Sequence, residues 1–63
     1  MQKHLLVIVD DEEDLLDLYE YNFMREGFDV KVFNRALPAL EFVNSTRPDL
    51  ILCDWMMPEM SGL

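Results

Sequence analysis

Three aspartates follow short apolar runs: Leu5-Leu6-Val7-Ile8-Val9 leads into Asp10-Asp11, and Leu50-Ile51-Leu52-Cys53 leads into Asp54. Carboxylates that close two parallel strands meet at the carboxyl edge of the sheet, where open α/β folds bind ligands. Like charges gathered there repel one another and demand a cation or a proton. Oxygen donors of this kind suit a hard divalent metal and the phosphoryl oxygens that such a metal neutralises. The cluster therefore reads as a divalent-metal and phosphoryl site.

Positioning those groups falls to the elements around them. Runs of four or five residues rich in Leu, Ile and Val, separated by helical patterns, are what buried strands of a parallel sheet look like. Leu5 to Val9 is the first strand. Asp11-Glu12-Glu13-Asp14 opens a helix, with Asp11 as cap, Asp14 as a weak capping-box partner, and acids that suit the positive end of the helix dipole. That helix is expected to run to about Glu26, with Leu15, Leu18 or Tyr19, and Phe23 on one face and Gly27 as its stop. Val30 to Phe33 is the second strand, followed by a turn at Asn34-Arg35. Ala36 to roughly Ser45 places Leu37, Ala39, Leu40 and Val43 at helical spacing, with Pro38 tolerable only in the first turn. Arg47-Pro48-Asp49 breaks this helix and launches the third strand, Leu50 to Cys53, after which residues 55–62 form a loop.

The order is β-α-β-α-β. Right-handed crossovers put the second and third strands on opposite sides of the first, so the predicted spatial order is 2-1-3. The crevice between the first and third strands is then the switch point of the sheet, and Asp10, Asp11 and Asp54 all belong to it. The third strand is apolar and becomes an uncovered edge, a liability that a partner surface should relieve.

Bulk properties narrow the function further. At 63 residues the chain is one domain at most, near the lower limit for folding alone, and a single cysteine permits no disulfide staple. Thirteen acids against five bases give a formal net charge of −8, which argues against binding nucleic acid or an anionic membrane. No apolar stretch is long enough to span a bilayer, and Leu5 to Val9 is too short for a signal peptide, so a cytoplasmic location is expected.

Here the residues resemble a known family. Val9-Asp10-Asp11-Glu12 closing the first strand, Gly27 before the second, Arg47-Pro48-Asp49-Leu50 opening the third, and Asp54-Trp55-Met56-Met57-Pro58 through Gly62 are similar to the N-terminal half of a response-regulator receiver domain from two-component signalling. In that family an aspartate ends the third strand, with a proline four residues later and a glycine eight residues later, as here.

The resemblance implies a doubly wound, flavodoxin-like parallel sheet, with residues 1–63 as an incomplete receiver that stops before its third helix. It implies that Asp54 is the phosphoacceptor and that the chain is not an enzyme in its own right. It also implies Mg²⁺ as cofactor, bound directly by Asp11, Asp54 and the backbone carbonyl of Met56, and through water by Asp10. The implied phosphodonor is a sensor histidine kinase or a phosphotransfer protein. Receiver domains continue through further strands bearing a Ser/Thr, a Lys and an aromatic switch residue, so self-association or complementation by the C-terminal half is expected. Pro38 stands where the family usually carries an ordinary helix residue, and it is expected to delay the second helix by a residue or two.

Rival readings are weaker. A phosphorylation-independent interaction or dimerisation module would use the exposed third-strand edge. Phosphatases with an aspartate nucleophile usually carry a second aspartate two residues on, where this chain has Met56. Dinucleotide binding needs glycine in the first βα turn, which here is Asp10-Asp11-Glu12. Cys53 is expected to be a small buried strand residue, and His4, ahead of the first strand, a surface residue at the end opposite the site. Tyr19, Tyr21 and Phe23 are expected in the core and on the helix flank.

Overall fold

A computed structural model of the chain describes residues 3–53. The elements follow in the order β1 (Leu5–Val9), α1 (Glu13–Arg25), β2 (Asp29–Phe33), α2 (Ala36–Thr46) and β3 (Leu50–Cys53). The three strands form one parallel sheet in the predicted order β2-β1-β3, which right-handed crossovers allow.

β1 lies at the centre because its sequence is apolar on both sides of the pleat. Leu6 and Ile8 face one layer, where they pack with Leu16 of α1 and Val30 of β2, and Tyr19, Phe23, Phe28 and Val32 flank them. Val7 and Val9 face the other layer and pack with Ala39 of α2, with Phe33, Phe42, Val43 and Cys53 around them. The alternation of side chains along a strand thus gives each helix its own half of β1. Both helices pack on β1 and β2, and of β3 only Cys53 joins the layer that contains α2.

Gly27 stops α1 as expected. It holds φ at +98°, a left-handed conformation open to glycine at little cost. Its N–H donates to the Met24 carbonyl, and the Phe28 N–H donates to the Phe23 carbonyl, both at 3.1 Å, which completes a Schellman motif. Phe23 and Phe28 meet edge to face with ring centroids 5.8 Å apart, the apolar contact that accompanies this cap.

Several expectations require correction. Asp11 does not cap α1; the N-cap residue is Glu12, which makes no side-chain cap hydrogen bond, and α1 ends at Arg25. The residue of α1 most deeply buried is Leu16, while Leu15 is half-buried and Leu18 is exposed, so the inner face runs Leu16, Tyr19, Phe23. α1 carries leucines at 15, 16 and 18, and only docking against Leu6, Ile8 and Val30 selects among them. Tyr21 is exposed, with the Arg25 guanidinium 5.6 Å from its ring centre. β2 begins one residue early, at Asp29. Pro38 does not delay α2, which starts at Ala36 and runs to Thr46; the proline occupies the third helical position, where its missing N–H has no intrahelical partner to lose. Leu37 of α2 is exposed and Ala36 is buried in its place, while Ala39 is buried as its spacing implied. Cys53 is half-buried.

Candidate functional site

The carboxyl edge of the sheet is assembled by register. β1 pairs with β3 through Leu6↔Leu50, Val7↔Ile51, Ile8↔Leu52 and Val9↔Cys53. The two strands therefore reach their last residues side by side, about 4.8 Å apart in the hydrogen-bonding direction. Asp10 follows Val9 directly, and its backbone N–H donates to the Phe33 carbonyl at 3.1 Å, which ties the turn to the end of β2.

Asp10 is the one charged residue among the described residues that is buried, at 7% exposure. One carboxylate oxygen, Oδ1, accepts the backbone N–H of Glu12 at 2.9 Å. This is an Asx-turn, in which a short carboxylate bonds the backbone two residues on and so bends the chain from strand into helix. α1 is launched by Asp10 through this bond. Asp11, next in sequence, is exposed.

Asp54 and Met56, the other two residues predicted for the site, lie outside the described residues. Among the described residues no group of three or more His, Cys, Asp or Glu side chains is placed to hold a metal ion. Asp10 and Asp11 contribute two carboxylates at one turn, one buried and tethered, one open to solvent. Hard oxygen donors in that number fit Mg²⁺, which takes one or two carboxylates and keeps several waters. A hollow of about 240 Å³ lies nearby, lined by Glu13, Leu16, Asp17, Val32, Phe33 and Asn34. Neither Asp10 nor Asp11 lines it, so the paired aspartates sit at an open edge and not in that hollow.

At the opposite end of the sheet the structure shows a residue that the sequence reading treated only as a strand opener. Asp49 accepts the Leu5 N–H through Oδ2 at 2.8 Å, and its own N–H donates to the Leu5 carbonyl at 2.9 Å. His4 Nδ1 stands 3.6 Å from the same Oδ2, at the surface position expected for this histidine. The signal available in the sequence was an acid directly ahead of an apolar run, which is common before strands and therefore weak.

Comparison with known proteins adds an independent line. Residues 6–63 match the response regulator receiver domain. The chain is 41% identical over 63 residues to the alkaline phosphatase synthesis transcriptional regulatory protein PhoP of Bacillus subtilis (strain 168), covering all of this chain and 26% of that protein. It is 37% identical over 62 residues to the transcriptional regulatory protein CreB of Escherichia coli (strain K12), covering 98% of this chain and 27% of that protein. The chain thus spans roughly a quarter of the length of these curated relatives. No helix among the described residues is long and apolar enough to cross a membrane.

Proposed function

Because the chain belongs to the response regulator receiver domain family, we propose that it is the N-terminal half of a phosphoacceptor receiver in a cytoplasmic two-component phosphorelay, with Asp54 as the acceptor. The observation that carries this reading is the Val9↔Cys53 pairing: the residues that follow these two in sequence are Asp10 and Asp54. The donor is a phosphohistidine on a sensor kinase or phosphotransfer protein. A carboxylate oxygen of Asp54 attacks phosphorus, an acyl phosphate P–O bond forms as the P–N bond breaks, and the leaving imidazole nitrogen takes up a proton.

Such a transfer needs positioning and charge neutralisation more than a strong base. Asp11, Asp54 and the Met56 carbonyl would hold Mg²⁺ directly and Asp10 through water, and the bound ion supplies positive charge beside the acceptor and phosphoryl oxygens. Asp10 does a second task with no metal involved: its bond to the Glu12 N–H fixes the turn from which Asp11 projects. The chain acts as acceptor and not as an enzyme with turnover of its own.

Treating the protein with a small phosphodonor and Mg²⁺, then mapping peptides by mass spectrometry, tests the assignment. One phosphoryl group is expected on the peptide carrying Asp54 and none in Asp54→Asn; label that persists in the variant sinks it. The exposed apolar residues Leu50, Ile51 and Leu52 support a second reading, phosphorylation-independent association with another copy or with a further part of a longer protein. Sedimentation showing a monomer at high concentration would remove self-association.

A further inference from the structure

We infer that the hollow between the start of α1 and the end of β2 receives an arginine side chain presented by a partner protein, with Glu13 and Asp17 as its anionic rim. The inference goes beyond the proposed function and does not depend on the role of Asp54.

The hollow, of about 240 Å³, is built from α1, β2 and the turn after β2 alone, through Glu13, Leu16, Asp17, Val32, Phe33 and Asn34. Leu16 and Val32 belong to the core layer beneath α1. Cys53, at the end of β3, packs in the other layer with Val7, Val9 and Ala39. β1 stands between β2 and β3 in the sheet, and so separates the hollow from the third strand.

Its lining is apolar on one side and anionic on the other. Leu16 is buried and Val32 and Phe33 are half-buried, while Glu13 and Asp17, one helical turn apart, are exposed. Residues four apart on a helix are neighbours, and like charges there destabilise it. Glu13 has a local justification, since an acid in the first turn suits the helix dipole. That benefit fades past the first turn and does not cover Asp17. All five cations of the sequence lie among the described residues, where neither Glu13 nor Asp17 takes part in an ion pair. The paired charge is left for a cation from another molecule.

Arginine is the cation that matches both sides of this lining. Its apolar stem can lie along Leu16 and Val32, and its planar fork of five donors can serve two carboxylates at once. Lysine offers a compact, strongly hydrated point charge, and a hydrated metal ion has no use for the apolar wall. At about 240 Å³ the hollow falls below the roughly 300–1,000 Å³ of pockets that take whole small-molecule ligands, so its occupant is one side chain of a larger partner. Exposed ion pairs are individually weak, so the hollow acts as an orienting anchor within a wider contact.

The test titrates N-acetyl-arginine amide into the nitrogen-labelled protein and follows the backbone amide resonances. N-acetyl-citrulline amide, with the same stem and no charge, is titrated in parallel. The arginine probe is expected to shift the amides of Leu16, Val32 and Asn34 saturably, and the citrulline probe to leave them unmoved. Glu13→Gln and Asp17→Asn should each weaken binding about two- to fivefold, the range of an exposed ion pair, and together about tenfold. Asp14→Asn removes an exposed acid of the same helix turn that does not line the hollow, and should leave affinity within about twofold of the parent. Absence of saturable shifts around the hollow overturns the inference, as does an equal response to citrulline or unchanged affinity in the double variant. Shifts centred on Asp10 and Asp11, or an Asp14→Asn loss equal to that of the rim variants, also overturn it, because general acidity would then attract the probe. The comparison of the two probes needs only the parent protein and decides the matter even where a variant fails to fold.

Discussion

The buried carboxylate of Asp10 accepts the backbone N–H of Glu12 at 2.9 Å, so the same side chain that belongs to the acidic edge also shapes the entry to α1. Two substitutions separate these tasks. Asp10→Asn keeps an oxygen acceptor and should leave stability near the parent while weakening Mg²⁺ binding. Asp10→Ala should weaken Mg²⁺ binding as well and also lower stability by about 1 kcal/mol, the net worth of the lost hydrogen bond. Urea denaturation and Mg²⁺ titration of both variants check this; equal stabilities would show that the Asx-turn contributes nothing.

Trp55 is the only tryptophan and adjoins Asp54 in sequence. Its fluorescence should therefore change saturably as Mg²⁺ is added, and a chelator should reverse the change. In Asp54→Asn the response should be absent. A response that survives this substitution would place the ion elsewhere.

Gly27→Ala should cost about 1–2 kcal/mol. Nothing lies within 4 Å of where its Cβ would sit, so the penalty is not steric crowding but the positive φ of +98° that the Schellman motif imposes. Asn should be tolerated better than Ala at this position, because Asn visits left-handed conformations more readily. Thermal melts of the two variants give the order directly.

Ile8→Ala removes a side chain only 1% exposed from the layer beneath α1. A deletion of that kind typically costs about 2–5 kcal/mol. Against a total of roughly 3–9 kcal/mol for a chain this size, that loss removes a large share of the stability and should lower the melting temperature steeply. Leu18→Ala, on the exposed side of α1, should shift stability by no more than about 0.5 kcal/mol. Far-ultraviolet circular dichroism distinguishes the two; a severe loss in Leu18→Ala would mean that the inner face of α1 is misassigned.

Much of the architecture was legible in the sequence, because local rules govern it. Apolar runs bounded by polar residues marked the strands at Leu5–Val9 and Leu50–Cys53 to the residue. Gly27 marked the helix stop because few other residues accept a left-handed cap, and right-handed crossovers together with a β1 apolar on both faces gave the order 2-1-3. Pairing of acid-terminated strands pointed to the carboxyl edge before any geometry was known.

Tertiary structure decided what local rules leave degenerate. Leucines at 15, 16 and 18 are alike in propensity and hydrophobicity, and only docking on Leu6 and Ile8 turned Leu16 inward and Leu18 out. Asp10 and Asp11 are the same residue type side by side, yet the end of β1 buried one and left the other in water. The link from Asp49 to Leu5 joins positions 44 apart, beyond the reach of any pattern in a short window. A sequence prescribes what each segment can become; which of several equivalent side chains does the work is settled when the segments meet.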